Sequence, residues 1–146
     1  RGFVTADFAS QIAAIEQGRQ EPVLRVGNLD SKRDFTDVRD VVRAYRLLME
    51  MDWNKVSCSK LEQKRGVCRV YNVCSGKGVS IKKVLDSLLS LSEVEVEVRE
   101  HQELIRKSDV TVLVGDCSKL KRDTGWQPRI GLRESLEDVL GWWRGQ

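Results

Sequence analysis

The chain has 146 residues, enough for one domain with a real core or for a part of a larger one. Its 25 basic and 22 acidic side chains leave a formal charge of +3, and they are interspersed along the chain instead of forming a block, which argues against a nucleic-acid partner. No apolar run approaches bilayer length, and Arg1-Gly2-Phe3-Val4-Thr5 lacks the basic-then-apolar order of a signal peptide, so a soluble, cytoplasmic protein without a membrane partner is expected.

Val4, Phe8, Ile12 and Ile15 recur at helical spacing, with Thr5 as a cap at the start and Gly18 as the closing residue; a first helix is expected over residues 4–17. Pro22-Val23-Leu24-Arg25-Val26 reads as a short strand, and Gly27-Asn28 as its turn. The stretch Gly27 to Asp37 sets Arg33 beside Phe35 on an extended segment, where alternation puts those two on one face and Asp34 and Thr36 on the other. A planar guanidinium grips two oxygens at once, which suits a diphosphate.

Asp37 precedes a second helix whose inward face is expected to carry Val38, Val41, Val42, Tyr45, Leu48 and Met49, with Asp40 as a near match to a capping box. Arg39, Arg43 and Arg46 lie opposite and read as a solvated face. Residues 51–66, including Trp53, have no clear period and read as an inserted loop. Residues 69–73 make a candidate buried strand, and Cys74 to Gly78 a turn that delivers Ser80 as cap of a helix burying Ile81, Val84, Leu85, Leu88 and Leu89. Val94, Val96 and Val98 alternate with Glu95 and Glu97 as in a strand wet on one side. Thr111 to Val114 is a brief extended piece and residues 116–123 a short helix. A last helix over 132–143 faces inward through Leu132, Leu136, Val139, Leu140 and Trp143. Strands and helices alternate, so the class is α/β.

Cys58, Cys68, Cys74 and Cys117 have no CxxC spacing and His101 is the one histidine, so a zinc site is not expected and the thiols read as reduced, buried or half-buried groups.

GNLDSKRDFTDVRDVVRAY, YNVCSGKGVSI, Arg106-Lys107-Ser108-Asp109 leading to LVGDCSKL, and TGWQP resemble the carboxyl-terminal portion of extended short-chain dehydrogenase/reductases acting on nucleotide sugars, in particular the group of GDP-mannose 4,6-dehydratase and GDP-4-keto-6-deoxy-mannose reductase of GDP-rhamnose biosynthesis. The resemblance implies an α/β substrate-binding part without the amino-terminal Rossmann half, a GDP-sugar as ligand, and NADP or NAD as the cofactor of the whole enzyme, none of it bound by this chain alone. Arg33 and Arg106 would hold the diphosphate from two sides and Asp109 would accept a hydrogen bond from the ribose hydroxyls. Asn28 falls among the substrate-binding positions, and Val4, Leu24 and Val26 where the family lines its base pocket, although apolar residues there fit plain core equally well. For Arg33 the alternative is a surface pair with Asp30, Asp34 or Asp37; for Arg106 and Asp109, a local ion pair. Trp126 reads as a ring packed under the last helix, with Pro128 fixing the turn. Lys107 stands where the family commonly has proline.

Ala6 and Asp7 follow Phe3-Val4-Thr5 where dehydratases of the group carry basic residues, which leans toward the reductase. The family's Gly-rich loop and Tyr-x-x-x-Lys pair have no counterpart: Gly76-Lys77-Gly78 lacks the spacing, and Met49 and Ser75 stand four residues after Tyr45 and Tyr71. No turnover is expected from the chain by itself. A non-catalytic module binding a nucleotide diphosphate sugar, or a partner subunit, is the alternative, and the strand edge at residues 71–76 would be open to self-association.

Overall fold

The computed structural model describes residues 3–53, 70–105 and 110–146. In chain order its elements are α1 (Val4–Glu16), β1 (Val23–Val26), β2 (Lys32–Asp34), α2 (Val38–Glu50), β3 (Gly78–Ser80), α3 (Ile81–Leu89), β4 (Glu97–Glu100), a single 3-10 turn (Gln102–Leu104), β5 (Val112–Leu113), α4 (Ser118–Thr124) and α5 (Leu132–Arg144). Helices and strands alternate, as the α/β reading requires. The chain divides into two compact units interleaved in sequence: residues 1–33, 78–113 and 131–146 form the first, and 34–77 and 114–130 the second.

In the first unit α1, α3 and α5 pack on one another. The buried stripe of α1 is Phe8, Ala9, Ile12, Ala13 and Ile15, that of α3 is Ile81, Val84, Leu85 and Leu88, and α5 contributes Leu136 and Leu140. Each such aliphatic side chain withdrawn from water contributes about 1.5–3 kcal/mol before entropy is counted. Ser80 caps α3 by accepting from the Lys83 amide, and Gly18 closes α1 at φ +68°, a left-handed conformation that glycine adopts without a Cβ penalty. Thr5 does not cap α1: the helix begins at Val4, Phe3 holds the cap position without a side-chain bond, and Thr5 falls inside the first turn.

β1 runs parallel to β4, Val23 opposite Glu97 through Val26 opposite Glu100. The alternating stretch therefore enters the ladder three residues later than its valines suggest; Val94 and Val96 are half-buried ahead of it, and all four β4 residues are exposed. A second sheet has the order β3-β2-β5, with β2 and β5 parallel and Arg33 opposite Leu113. Gly78 to Ser80 thus forms a strand where a turn is expected from its glycines.

The second unit is built around Trp126, Ala44 and Leu120, with Leu47, Leu48, Tyr71, Val73 and Cys117 against them. Trp126 is structural: its ring packs beside α2 and α4, and its indole N–H donates to the Asp40 carbonyl. Residues 70–73 form no strand. Val70 is exposed, Tyr71 is fixed through its hydroxyl on Asp123, and Asn72 through its amide on the Asp116 carbonyl, so side chains take over where a ladder is expected.

α2 departs most from the sequence reading. Asp37 caps it as expected, accepting from the Arg39 amide. The face expected to be buried is largely solvent-facing: Val38 is 70% exposed, Val42 58%, Tyr45 58% and Met49 85%, and the fully buried residues of the helix are Asp40 and Ala44. Asp40 is not a capping-box partner. Its carboxylate accepts from the amides of Arg129 and Ile130 and from Arg43, clipping the 126–130 turn to the helix. Arg43 accordingly leaves the solvated face to which its spacing assigns it, donating also to the Gln127 carbonyl and lying over the Trp126 ring; Arg39 and Arg46 keep to that face, paired with Asp37 and Glu50. The inserted loop lies outside the described residues from 54 onward.

Candidate functional site

Arg33 stands on β2, whose neighbour β5 fixes the strand through the Lys32 amide on the Thr111 carbonyl at 2.7 Å. From Nη1 the guanidinium donates to the Val110 carbonyl at 2.7 Å and to its own Lys32 carbonyl at 2.8 Å. Two backbone carbonyls therefore brace the head group against the strand that leads away from residues 106–109. Asp37 caps α2 and grips Arg39, and the Asp34 carboxylate accepts from Ser75, Gly76 and Gly115.

The loop before β2 is rigid by construction. Ser31 is buried, its hydroxyl accepts from Asn28 Nδ2 at 2.9 Å, and Asn28 Oδ1 accepts from the Asp30 amide at 2.9 Å, an Asx turn that engages both ends of the Asn28 amide inside the loop. The carbonyls of Leu29 and Ser31 accept from Lys82 and Ile81, the first amides of α3, which ties the loop to that helix end.

Gly27 marks a close approach. A Cβ there would sit 2.8 Å from the Leu104 carbonyl oxygen, so the 3-10 turn packs directly on the glycine backbone, and the His101 amide donates to the Val26 carbonyl just before it. The segment 27–33 thus holds the chain on both sides of residues 106–109: Leu104 at Gly27 and Val110 at Arg33. Arg106 and Asp109 themselves, the two other polar residues assigned to the ligand, lie outside the described residues.

Leu24 and Val26 of β1 are fully buried and Val4 is half-buried on the first turn of α1. The two strand residues are core members in this arrangement, the alternative that the sequence leaves open.

In the second unit Asp34 is the organising acceptor. Its Oδ1 takes the Ser75 amide at 2.9 Å and the Ser75 hydroxyl at 2.5 Å, and its Oδ2 takes the amides of Gly76 at 2.9 Å and Gly115 at 3.2 Å. Four donors on one carboxylate converge two loops on the residue after Arg33. Cys74, buried beside them, has its thiol pushed up to about 11 by burial, by the neighbouring Cys117 thiol and by the Asp34 charge. The alternation of Arg33 and Asp34 was legible as two faces of a strand; the partners of Asp34, 41 to 81 residues away, were not. The one local hint was Gly115 in LVGDC, where a Cβ would come 2.6 Å from the Cys74 sulfur.

Residues 1–139 match the sequence family described as GDP-mannose 4,6 dehydratase. The chain is 34% identical over 144 residues to a GDP-6-deoxy-D-mannose reductase of Pseudomonas aeruginosa, covering 99% of itself and 43% of that protein. It is 28% identical over 153 residues to a GDP-mannose 4,6-dehydratase of Yersinia enterocolitica, at 94% and 41% coverage. Among solved structures it resembles RMD from Pseudomonas aeruginosa in complex with NADPH, with a TM-score of 0.81, 34% identity, and 98% of this chain against 43% of that one. The chain therefore spans less than half the length of these relatives, and corresponds to their carboxyl-terminal portion.

Proposed function

Since the chain belongs to the GDP-mannose 4,6-dehydratase family, whose matching relatives are nucleotide-sugar enzymes, we propose that it is the GDP-sugar-binding part of an NAD(P)-dependent GDP-4-keto-6-deoxy-mannose reductase. The observation that carries the reading is the mounting of Arg33. A guanidinium braced by two carbonyls is held at a fixed place on the strand, and the planar fork of an arginine matches the oxygens of a diphosphate. Arg106 and Asp109 are assigned the opposite side of the diphosphate and the ribose hydroxyls by family likeness. Val4, half-buried on α1, keeps its family assignment to the base pocket, Val26 being a core residue, and Asn28 acts through loop shape, its side-chain amide being engaged with Ser31 and Asp30. The reductase is preferred to the dehydratase on Ala6 and Asp7.

Among the described residues the candidate glycines and tyrosines do not fit a nicotinamide dinucleotide. Gly78 belongs to β3, Tyr71 spends its hydroxyl on Asp123, and Tyr45 stands exposed on α2 with Met49 four residues on, so no cofactor step is assigned to this chain. Its contribution to the whole enzyme is orientation: holding the sugar nucleotide so that its reacting carbon meets a nicotinamide held elsewhere.

Calorimetry with GDP-mannose tests this. The chain should bind, Arg33→Ala should weaken binding by about 1.5–3 kcal/mol, the scale of charge-assisted hydrogen bonds, and NADPH should not be oxidised by the chain with the keto-sugar. Absence of GDP-mannose binding, or an Arg33→Ala variant that binds as the parent does, refutes the assignment.

A further inference from the structure

We propose that Cys74 and Cys117 are a thiol pair that closes to a disulfide by exchange with a low-molecular-weight disulfide such as oxidised glutathione, latching together the two loops that meet at Asp34. Both cysteines belong to the second unit and both are free. The segments that carry them, 72–76 and 115–117, lie side by side. The Asn72 amide donates to the Asp116 carbonyl at 3.2 Å, and the backbone amides of Ser75, Gly76 and Gly115 all end on the Asp34 carboxylate. Between these two sets of bonds the Gly115 backbone rests on Cys74: a Cβ at Gly115 would sit 2.6 Å from the Cys74 sulfur and 2.8 Å from the Cys74 Cβ. The Cys117 thiol is the side-chain neighbour of that sulfur.

The two thiols are unequal. Cys74 is buried and Cys117 half-buried, so a reagent in solution reaches Cys117 first. Cys74 is also held protonated, its thiol pushed up to about 11 by burial, by Cys117 and by the Asp34 charge, and the thiolate is the form that reacts. Exchange therefore runs in a fixed order. The Cys117 thiolate attacks one sulfur of oxidised glutathione, forming a mixed disulfide and releasing one glutathione thiolate. Cys74 then loses its proton and attacks the Cys117 sulfur; the second glutathione leaves as thiolate, and two electrons have passed from the protein thiols to the reagent. Contact within the fold favours this second step over attack by a free thiol. Among the described residues no group of three or more histidines, cysteines and carboxylates could hold a metal ion, which leaves exchange as the chemistry that two adjacent thiols offer.

The position of the pair gives the bond a mechanical effect. The chain leaves the second unit after Lys77 and re-enters it at Val114, so a Cys74–Cys117 bond ties the stem of that excursion and restricts the unfolded chain over residues 74–117. The same bond holds together the loops whose amides fix Asp34.

The test exposes the reduced chain, in buffer and in urea, to an excess of oxidised glutathione, quenches with acid at intervals and maps the cysteines by mass spectrometry of peptic peptides. In the native chain glutathione should appear on Cys117 first and the Cys74–Cys117 disulfide should follow as the product, with both thiols restored by dithiothreitol. In urea the shortest loops close most easily, so Cys68 should pair with Cys58 or Cys74 instead. Cys74→Ala should stop the reaction at glutathione on Cys117, and Cys117→Ser should leave Cys74 unmodified. Closing the bond should raise the thermal midpoint by about 5 °C or more. An unreactive Cys117, glutathione that stays on Cys117 of the native parent, a native disulfide to Cys58 or Cys68, or a midpoint that does not rise on closure overturns the proposal. Should Cys74→Ala fail to fold, the time course of the parent decides the order by itself: glutathione on Cys117 ahead of the disulfide supports it, and glutathione on Cys74 first overturns it.

Discussion

Asp40 offers the sharpest test of how the second unit holds together. Its carboxylate is 1% exposed and accepts from the amides of Arg129 at 2.8 Å and Ile130 at 2.9 Å, with Arg43 as a third donor. Asp40→Ala strands two amides and a guanidinium in one step. Removing one member of a buried pair costs roughly 3–5 kcal/mol; Arg43, with 23% of its side chain exposed, recovers part of this by turning to water, so a loss of about 3 kcal/mol is expected. Asp40→Asn keeps the shape and one acceptor oxygen but points an amide at Arg43, for a loss of roughly 1–3 kcal/mol. The pH dependence follows from the same contacts. Burial works to raise the Asp40 carboxyl, but the Ile130 amide, Arg43 and the Arg129 amide outweigh it and hold the group below its usual value. A carboxyl depressed on folding contributes stability that is complete above the unfolded pKa, near 3.8, and is lost as pH falls through the lower folded value. Urea unfolding followed by far-UV circular dichroism at pH 7 and through the range below pH 4 measures both effects. An Asp40→Ala variant within about 1 kcal/mol of the parent at pH 7, or an Asp40→Asn variant with an unchanged acid slope, would refute the account.

Glycine substitutions should split by geometry. Gly27→Ala places a methyl 2.8 Å from the Leu104 carbonyl and should cost roughly 1–3 kcal/mol, whereas Gly141→Ala, inside α5 with nothing near its Cβ, should gain up to about 1 kcal/mol; urea midpoints of both decide, and equal effects would contradict the close approach. Glu16 accepts from Arg144 through both oxygens and from Ser92, and the Arg144 bond is the main reason that its carboxyl is lowered. The support is complete above pH 4.5 and fades below it as the carboxylate protonates, and because Arg144 is 42% exposed Glu16→Gln should cost only about 0.5–1.5 kcal/mol at pH 7, read from thermal melts. Cys74, buried and with its thiol near 11, should alkylate with iodoacetamide about a hundred times more slowly than a free cysteine at pH 7.5; peptide-resolved mass spectrometry that found it labelled at the free rate would show the thiol to be accessible.

What could be read from the sequence is what neighbours in the chain decide. The caps at Asp37 and Ser80, the closing Gly18 and the stripes of α1, α3 and α5 all follow from residues within a turn or two of each other. The misreadings of Asp40 and Arg43 are of one kind, polar side chains bound to distant partners. Asp40 looks like a capping residue and meets amides 89 and 90 positions on; Arg43 looks solvated and meets Asp40, Gln127 and Trp126. Periodicity records that a helix has two faces, and it cannot say which face the rest of the fold will cover.

That ambiguity bears on α2 most directly. Its apolar period is the strongest of any segment after Arg33, and taken alone it places Val38, Val42, Tyr45 and Met49 in the core of whatever this sequence builds. Within the chain they remain exposed, while the side with a carboxylate is sealed by three donors placed to match it. Both signals are consistent: the period marks which residues share a face, and the packing of the chain decides which face is covered. Ordinary mutational logic then inverts: Val42→Glu should leave the stability of the chain alone within about 0.5 kcal/mol, as at other surface positions, although the same change in a core stripe such as that of α3 would unfold it. A loss of several kcal/mol on Val42→Glu would mean that the stripe is packed within the chain after all.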